Sequence, residues 1–342
     1  MNDCIADQVL VVSTTGQLRN AISSVNKLTD SENATILLEN GNYKNAVNLI
    51  ISHPRTLIKS RNQNASSVIL SGNGMSFSKD VNVIFDIRAK NVTIAHLTLE
   101  KTSHHLIHVR GEFGSDGFKL TNSILRDSYQ QLLKVTGSNS SKFSDRGIVR
   151  KNVFMYSEGI GPNFYIGGID AHRARKWLVS NNTFYNIASP KDRVAEHAIH
   201  FWDGSSDNEV YYNLIINSDR GIGFGLFEQE LPTYGGIIAF NRIIHHDTSH
   251  PFADVGISLE NSPRTIVANN SIYMATDYPN AIEYRFPSTQ KVLITNNVTN
   301  KAIKSRDGAS GQLKNNTSKD TLINFFSSFH YYMKFIKRHL FE

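Results

Sequence analysis

The segments IVRKNVF (148–154), WLVSNNTFYNI (177–187), VYYNLIIN (210–217) and IIAFNRII (237–244) share one pattern: alternating β-formers, an asparagine, one further residue and another apolar residue. The pattern extends outward on both sides to FKLTNSIL (118–125), IVANNSIY (266–273) and VLITNNVTN (292–300). With the asparagine as marker, Asn122, Asn152, Asn182, Asn213, Asn241, Asn270 and Asn297 recur at spacings of 30, 30, 31, 28, 29 and 27 residues. VTIAHLTLE puts His96 in the marker position, 26 residues before Asn122. A fixed period of this size is the signature of stacked repeats and decides the fold class before any local element is assigned.

The apolar residues alternate in short runs and do not recur at 3.6 spacing, which excludes a helical solenoid. A second apolar run follows each marker: LIHVR (106–110), LLKVT (132–136), GGIDAH (167–172), AIHFW (198–202), GIGFG (221–225), VGISLE (255–260) and AIEYR (281–285). Several strands per repeat predict an all-β chain coiled as a single-stranded right-handed parallel β-helix. The asparagine column reads as structural, with left-handed backbone at a sharp bend and amide-to-amide bonds along the stack. Several of the asparagines at these turns also sit in sequons, among them Asn91, Asn181, Asn269 and Asn297, and the repeat explains them without glycosylation.

Both ends of such a solenoid need covering. TTGQLRNAISSVNK (14–27) spaces Leu18, Ala21, Ile22 and Val25 at helical intervals after a threonine cap, predicting a capping helix near 15–27. ATILLENGNY, VNLIIS, RTLIKS and SVILSG then supply the opening strands. The β-helix is expected over 1–318. Over 319–342, Leu322, Phe325, Phe326, Phe329, Met333, Ile336 and Leu340 form a helical stripe with Lys334, Lys337, Arg338 and His339 interspersed. This reads as a C-terminal amphipathic helix, a cap or an interfacial membrane helix, too charged to span a bilayer.

Composition narrows the function classes. The 342 residues are 40% hydrophobic and only 19% charged, which argues against disorder and against a charged helical bundle. Cys4 is the only cysteine, so cysteine-based zinc sites and intrachain disulfides are excluded. The formal charge of +6 favours anionic partners. No run of five basic residues occurs, so nucleic acid is not the expected partner, and an acidic polysaccharide fits the charge equally well. The opening MNDCIADQVLVV shows neither a cationic leader nor a long apolar stretch, so no signal peptide is expected there.

Aligning the second runs predicts a surface. With Ile107, Leu133, Ile169, Ile199, Ile222, Ile257 and Ile282 facing inward, the next residues outward are His108, Lys134, Asp170, His200, Gly223, Ser258 and Glu283. Two positions further come Arg110, Thr136, His172, Trp202, Gly225, Glu260 and Arg285. Lys134, Asp170, His172, His200 and Trp202 gathered on three successive turns exceed what solvation requires. Gly221, Gly223 and Gly225 beside Trp202 read either as room for a sugar ring or as close packing between turns. Glu196, His197, Asp203 and Arg220 flank the patch. Each residue also has a plain structural reading: a cross-strand ion pair for Lys134 and Asp170, surface histidines, an aromatic cover.

Over about residues 10–316 the repeat resembles the right-handed parallel β-helix superfamily of pectin-lyase-like proteins, which includes polysaccharide lyases, epimerases and some hydrolases. ILLENGNY followed by TLIKS and VILSG looks like the first strands of lyases acting on uronate polymers. GGIDAHR (167–173) is similar to the Tyr-Gly-Phe/Ile-Asp-Pro-His-Asp/Glu motif of alginate C5-epimerases. The resemblance puts Asp170 and His172 at the motif's Asp and His and Lys134 where that family has its lysine. Gly167 stands in place of the tyrosine, Ala171 of the proline and Arg173 of the acidic residue, and Tyr165 is offset from the tyrosine position.

The chemistry implied is removal of the C5 proton of a uronate. His172 or His200 is the expected base, Lys134 and Arg220 neutralise the carboxylate, and Asp170 orients its neighbours. Trp202, His197, Asp203, Arg110, Glu260 and Arg285 are the expected substrate contacts. Lyase and epimerase outcomes stay open, and a non-catalytic glycan-binding or tailspike-like β-helix is the competing class. Hydrolysis would need two suitably spaced carboxylates, and only Glu260 and Glu283 offer themselves. No cofactor is required; Ca2+ shared between substrate and protein carboxylates is allowed. The expected protein is a monomer without a membrane span, extracytoplasmic if it acts on polysaccharide.

Overall fold

The structure is a computed structural model that describes residues 7–138, 141–228 and 231–318. Each coil is made of three short strands. In one of them, Lys119–Thr121 joins a first sheet, Ile124–Arg126 a second and Leu133–Thr136 a third; Ile148–Arg150 then lands parallel beside Lys119–Thr121. Repetition yields sheets of 12, 11 and 10 strands, with a two-stranded side sheet of Ser144–Asp145 and Ala174–Arg175.

Inward residues of successive coils stack in columns. Ile107, Leu133, Ile169, Ile199, Ile222, Ile257 and Ile282 are strand partners in series and fully buried. Each contributes about 1.5–3 kcal/mol by leaving water. Phe154 and Phe184 stack beside this column with ring centroids 4.7 Å apart.

The corner between the first and second sheets corrects one sequence expectation. The asparagines do form a ladder: Asn152 Nδ2 donates to Asn182 Oδ1 at 3.0 Å and to the Leu120 carbonyl at 2.9 Å, and its backbone N–H reaches the same Oδ1. The pattern continues through Asn213, Asn241, Asn270 and Asn297 to Asn316, one coil beyond the repeats first counted. The left-handed bend lies one residue earlier, at Lys151, Asn181, Tyr212, Phe240, Asn269 and Asn296. Turning the chain and bonding the next coil are separate tasks, and two adjacent positions divide them. Asn122 and His96 occupy the bend, and Ser123 takes the ladder place beside Asn152. Left-handed backbone costs a non-glycine residue about 1–2 kcal/mol. Tyr212 and Phe240 accept it while stacking with ring centroids 5.1 Å apart.

Helix α1, Thr15–Val25, covers the first coil as expected. Thr14 accepts from the Gln17 N–H at 3.2 Å, and Leu18, Ala21, Ile22 and Val25 are buried against Asp7–Val12, Asn33–Leu38 and Leu49–Ile51. At the other end Gly311–Lys314 is exposed along its length. The expected C-terminal helix over 319–342 lies outside the described residues, as does Cys4. Among the described residues no helix is long and apolar enough to cross a membrane.

Candidate active site

The outer face of the third sheet carries the ionisable strip, in the register expected from the repeat: Lys134 pairs with Asp170, Asp170 with His200, and His172 with Trp202. Neighbouring coils are about 4.8 Å apart, so side chains distant in sequence touch. Lys134 Nζ donates to Asp170 Oδ2 at 2.5 Å, and Trp202 Nε1 donates to Asp170 Oδ1 at 2.6 Å. Burial opposes ionisation of Asp170, yet Lys134, His200 and the two hydrogen bonds outweigh it and hold the carboxyl below its usual range. Burial likewise pulls the Lys134 ammonium down, but Asp170, with help from Tyr165 and Glu196, carries it above its ordinary value. The pair is therefore ionic.

Around it lies a layer of histidines. His172 sits half-buried with its ring 5.0 Å from the Trp202 ring, and burial, reinforced by Lys134, pushes its pKa down to about 4. Its imidazole is therefore neutral near pH 7, and no hydrogen bond occupies it among the described residues. His200 donates Nε2–H to the Gly225 carbonyl at 2.9 Å, lies nearly parallel to Trp202, and turns Nδ1 toward Glu196 Oε2, 3.7 Å away. The His197 ring lies 4.5 Å from that of His200, tilted by 42°, and bonds Ser258 Oγ through Nε2 at 2.8 Å. Below Lys134, His108 Nε2 meets Thr136 Oγ1, whose hydroxyl is donated to Glu112, so His108 carries its proton on Nε2.

Lys134, Asp170, His197 and His200 form a floor that is almost fully buried. The groups that reach the surface are His172, Trp202, Glu196, Arg220 and the exposed Tyr165. An imidazole free to take a proton beside an indole face and above a buried ammonium can abstract a proton and stabilise the negative charge left behind. Glu196, His197 and His200 also bring three ligand-type atoms within 4.8 Å of one another. Two imidazoles in that set suit a transition metal better than Ca2+, which takes oxygens.

No family model and no curated protein matches the chain. Solved structures do. A double mutant of a periplasmic alginate epimerase superposes with TM-score 0.50 at 13% identity over 90% of this chain; the chain spans 62% of that protein. A mannuronic acid specific polysaccharide family 6 lyase from human gut microbiota gives 0.53 at 13% identity, covering 91% of this chain and 83% of that one. DFA-IIIase from Arthrobacter chlorophenolicus A6 gives 0.56 at 9% identity, covering 90% and 94%. The fold is a right-handed parallel β-helix.

On this β-helix the residues singled out in the sequence fall into a centre and two flanks. Lys134, Asp170, His172, His200, Trp202 and His197 form the centre. Arg220 lies beside it as the strand partner of His197, held by Asp254 at 3.1 Å. Asp203 pairs with Arg173 at 3.2 Å just past the strand end. Arg110 is one coil before Lys134 and is held by Asp86 at 2.8 Å. Glu260 and Arg285 pair with each other at 3.2 Å, two and three coils beyond Trp202, and burial raises the Glu260 pKa. Glu283 is bound by Arg306, so the Glu260 and Glu283 carboxylates are each tied to an arginine.

The glycines resolve in favour of packing. A Cβ on Gly223 would lie 2.6 Å from His197 Nε2, and Gly221 and Gly225 are pressed against the backbone of the next coil. The space over Gly223 is filled by the His197 imidazole. Tyr165 is offset from the motif's tyrosine position, yet a loop before Ile169–His172 brings its phenol near enough to Lys134 for their charges to couple. Asp86 and Asp254, which clamp Arg110 and Arg220, lie outside the aligned columns or one coil before them and were not legible as partners.

Proposed function

We propose that this chain acts on an acidic, uronate-containing polysaccharide or oligosaccharide by abstracting the C5 proton. The observation that carries the reading is the neutral, unoccupied imidazole of His172 set against Trp202 and above the buried Lys134–Asp170 pair. In this reading a sugar ring lies on Trp202 and presents C5 to His172. The C5–H proton passes to the imidazole, the C–H electron pair moves to C5 and onto the carboxylate as an enolate, and Lys134 with Arg220 stabilises that charge. Return of a proton from the opposite face, with Tyr165 as the available hydroxyl, gives epimerisation. Departure of the O4 substituent, breaking C4–O4, forming C4=C5 and carrying away a proton donated by Tyr165 to the leaving oxygen, gives β-elimination. Asp170 and Trp202 act as positioning residues that hold Lys134 in place. Substrates of this kind place the protein outside the cytoplasm, acting as a monomer, with no cofactor needed for proton transfer and Ca2+ a candidate only for bridging carboxylates.

A panel of uronate polymers incubated with the protein and followed by ultraviolet absorbance tests the lyase branch, since only elimination creates the conjugated double bond. Loss of the signal in Tyr165→Phe or His172→Ala would support the assigned roles; full retention in both would remove them.

A second reading rests on the charges. Arg110, Lys134, Arg173, Arg220 and Arg285 are each paired with a carboxylate of the chain, so the strip is an ion-pair zipper and not a bare cationic groove. That pattern favours capture of a neutral glycan on Trp202 without turnover, and calorimetry with neutral against uronate oligosaccharides separates the two.

A further inference from the structure

A second cluster of titratable side chains lies at the corner between the second and third sheets and takes no part in the reading above. Asp219 immediately precedes the strand Arg220–Phe224, His245 ends the strand Arg242–His245, and His250 comes from the loop that follows. One ligand-type atom from each lies within 4.8 Å of the others. Asp219 is 0% and His245 1% exposed, and the His250 side chain 6%.

The hydrogen bonding of the three is incomplete in one shared place. Asp219 Oδ2 accepts from the N–H groups of Ser189 and Ala195, both at 2.9 Å. Its Oδ1, both ring nitrogens of His245 and Nδ1 of His250 have no hydrogen-bond partner among the described residues. Native interiors satisfy nearly all such atoms, and here Asp219 Oδ1, one nitrogen of a neutral His245 and His250 Nδ1 offer lone pairs to a single ligand. His250 is already oriented for that role. Its Nε2 faces Asp247 Oδ2 at 3.4 Å, which leaves Nδ1 as the lone pair. A ligating imidazole whose other N–H is held by a carboxylate or carbonyl is the usual outer layer of a metal site.

We propose that Asp219, His245 and His250 bind a first-row divalent transition metal ion of the zinc type. Two imidazole nitrogens and one carboxylate oxygen match a three-ligand zinc set with a fourth position for water; Ca2+ would require six to eight oxygens. Zinc ligands lie about 3.3 Å apart in a tetrahedron with bonds near 2.0 Å, so the side chains need only small rotations to close on the ion. The ion would fasten the loop carrying His250 to the residue next to Arg220. Asp254, on that same loop, is the carboxylate that clamps Arg220, so the site would set the edge of the strip from behind.

The test is metal content and stability of the full chain. Protein purified without chelator should carry close to one equivalent of zinc or a related ion by elemental analysis. Chelator-treated protein should bind added Zn2+ at one site in calorimetry, and its thermal midpoint should rise by several degrees. His245→Gln should abolish that site. His250→Gln, on the loop, does the same with less risk to folding, and circular dichroism confirms the fold of each. Co2+ in place of zinc should give the strong visible bands of a tetrahedral site. A Glu196→Gln/His197→Gln variant should keep the ion. The proposal is overturned if the wild type binds no zinc and shows no thermal shift, or if the ion survives His250→Gln and is lost with Glu196→Gln/His197→Gln.

Discussion

Trp202, one coil beyond Asp170, donates its indole N–H to Asp170 Oδ1 at 2.6 Å. Lys134, one coil before, holds the other oxygen, so three successive coils are fastened through one buried carboxylate. Removing the carboxylate charge leaves the ammonium without a counterion. Asp170→Asn should therefore destabilise the protein by about 3–5 kcal/mol in chemical denaturation, and Trp202→Phe by about 1.5–3 kcal/mol. Lys134→Met combined with Asp170→Leu should lie closer to wild type than either single change, because neither charge is then stranded. Additive losses in the double variant would show that the pair does not act as a unit.

The ladder and the bend can be separated by two adjacent residues. Asn182 bonds Asn213 and the Val149 carbonyl and accepts from Asn152, all inside the protein. Asn182→Ala should cost about 2–4 kcal/mol because several buried groups lose partners. Asn181 is exposed with φ 56°, so Asn181→Ala should cost only about 1 kcal/mol and Asn181→Gly less. Equal costs at the two positions would contradict this division of labour.

Acid should weaken the fold through its neutral histidines. Burial first, and Lys134 second, push His172 down to about 4 and His105 to about 3. The same imidazoles titrate near about 6.5 when unfolded. Between those values the unfolded chain binds more protons than the folded one, so stability is complete above about pH 6.5 and falls as pH drops toward 4. Urea denaturation at pH 7 and 4.5 should differ by a few kcal/mol, with the slope reduced in His105→Gln. A flat profile would rule out buried neutral imidazoles at these positions.

Gly223 tests the packing beneath the site. Gly223→Ala should displace His197 from Ser258 and cost about 1–3 kcal/mol. His197→Ala should relieve most of that strain, giving a non-additive pair by thermal denaturation. If Gly223→Ala is neutral on its own, the glycine is not there for the imidazole.

The coil, its register and its capping helix were legible because they repeat: a strand period of two and a coil period near 30 leave their mark in every turn. The column Ile107 to Ile282, and with it the juxtaposition of Lys134, Asp170, His172, His200 and Trp202, follows from that periodicity alone. Contacts made by the connecting loops do not repeat. Tyr165, Asp254 and His250 reach their neighbours from segments of irregular length, where no alignment of turns says which way the chain travels. The marker asparagine misled by one residue because bend and ladder residues are often both asparagine, as at Asn181 and Asn182; Lys151, Tyr212 and Phe240 show that the bend does not require it.

The most direct measurement is hydrogen exchange at C5 of uronate oligosaccharides in heavy water, followed by NMR, because proton removal precedes both epimerisation and elimination. Wild-type protein should exchange or eliminate that proton, with the acidic limb of kcat/KM near pH 4 where His172 loses its proton, and His172→Ala should be slower by about a hundred-fold or more. Tight binding of the oligosaccharides with no exchange and no unsaturated product, or undiminished exchange in His172→Ala, would contradict it.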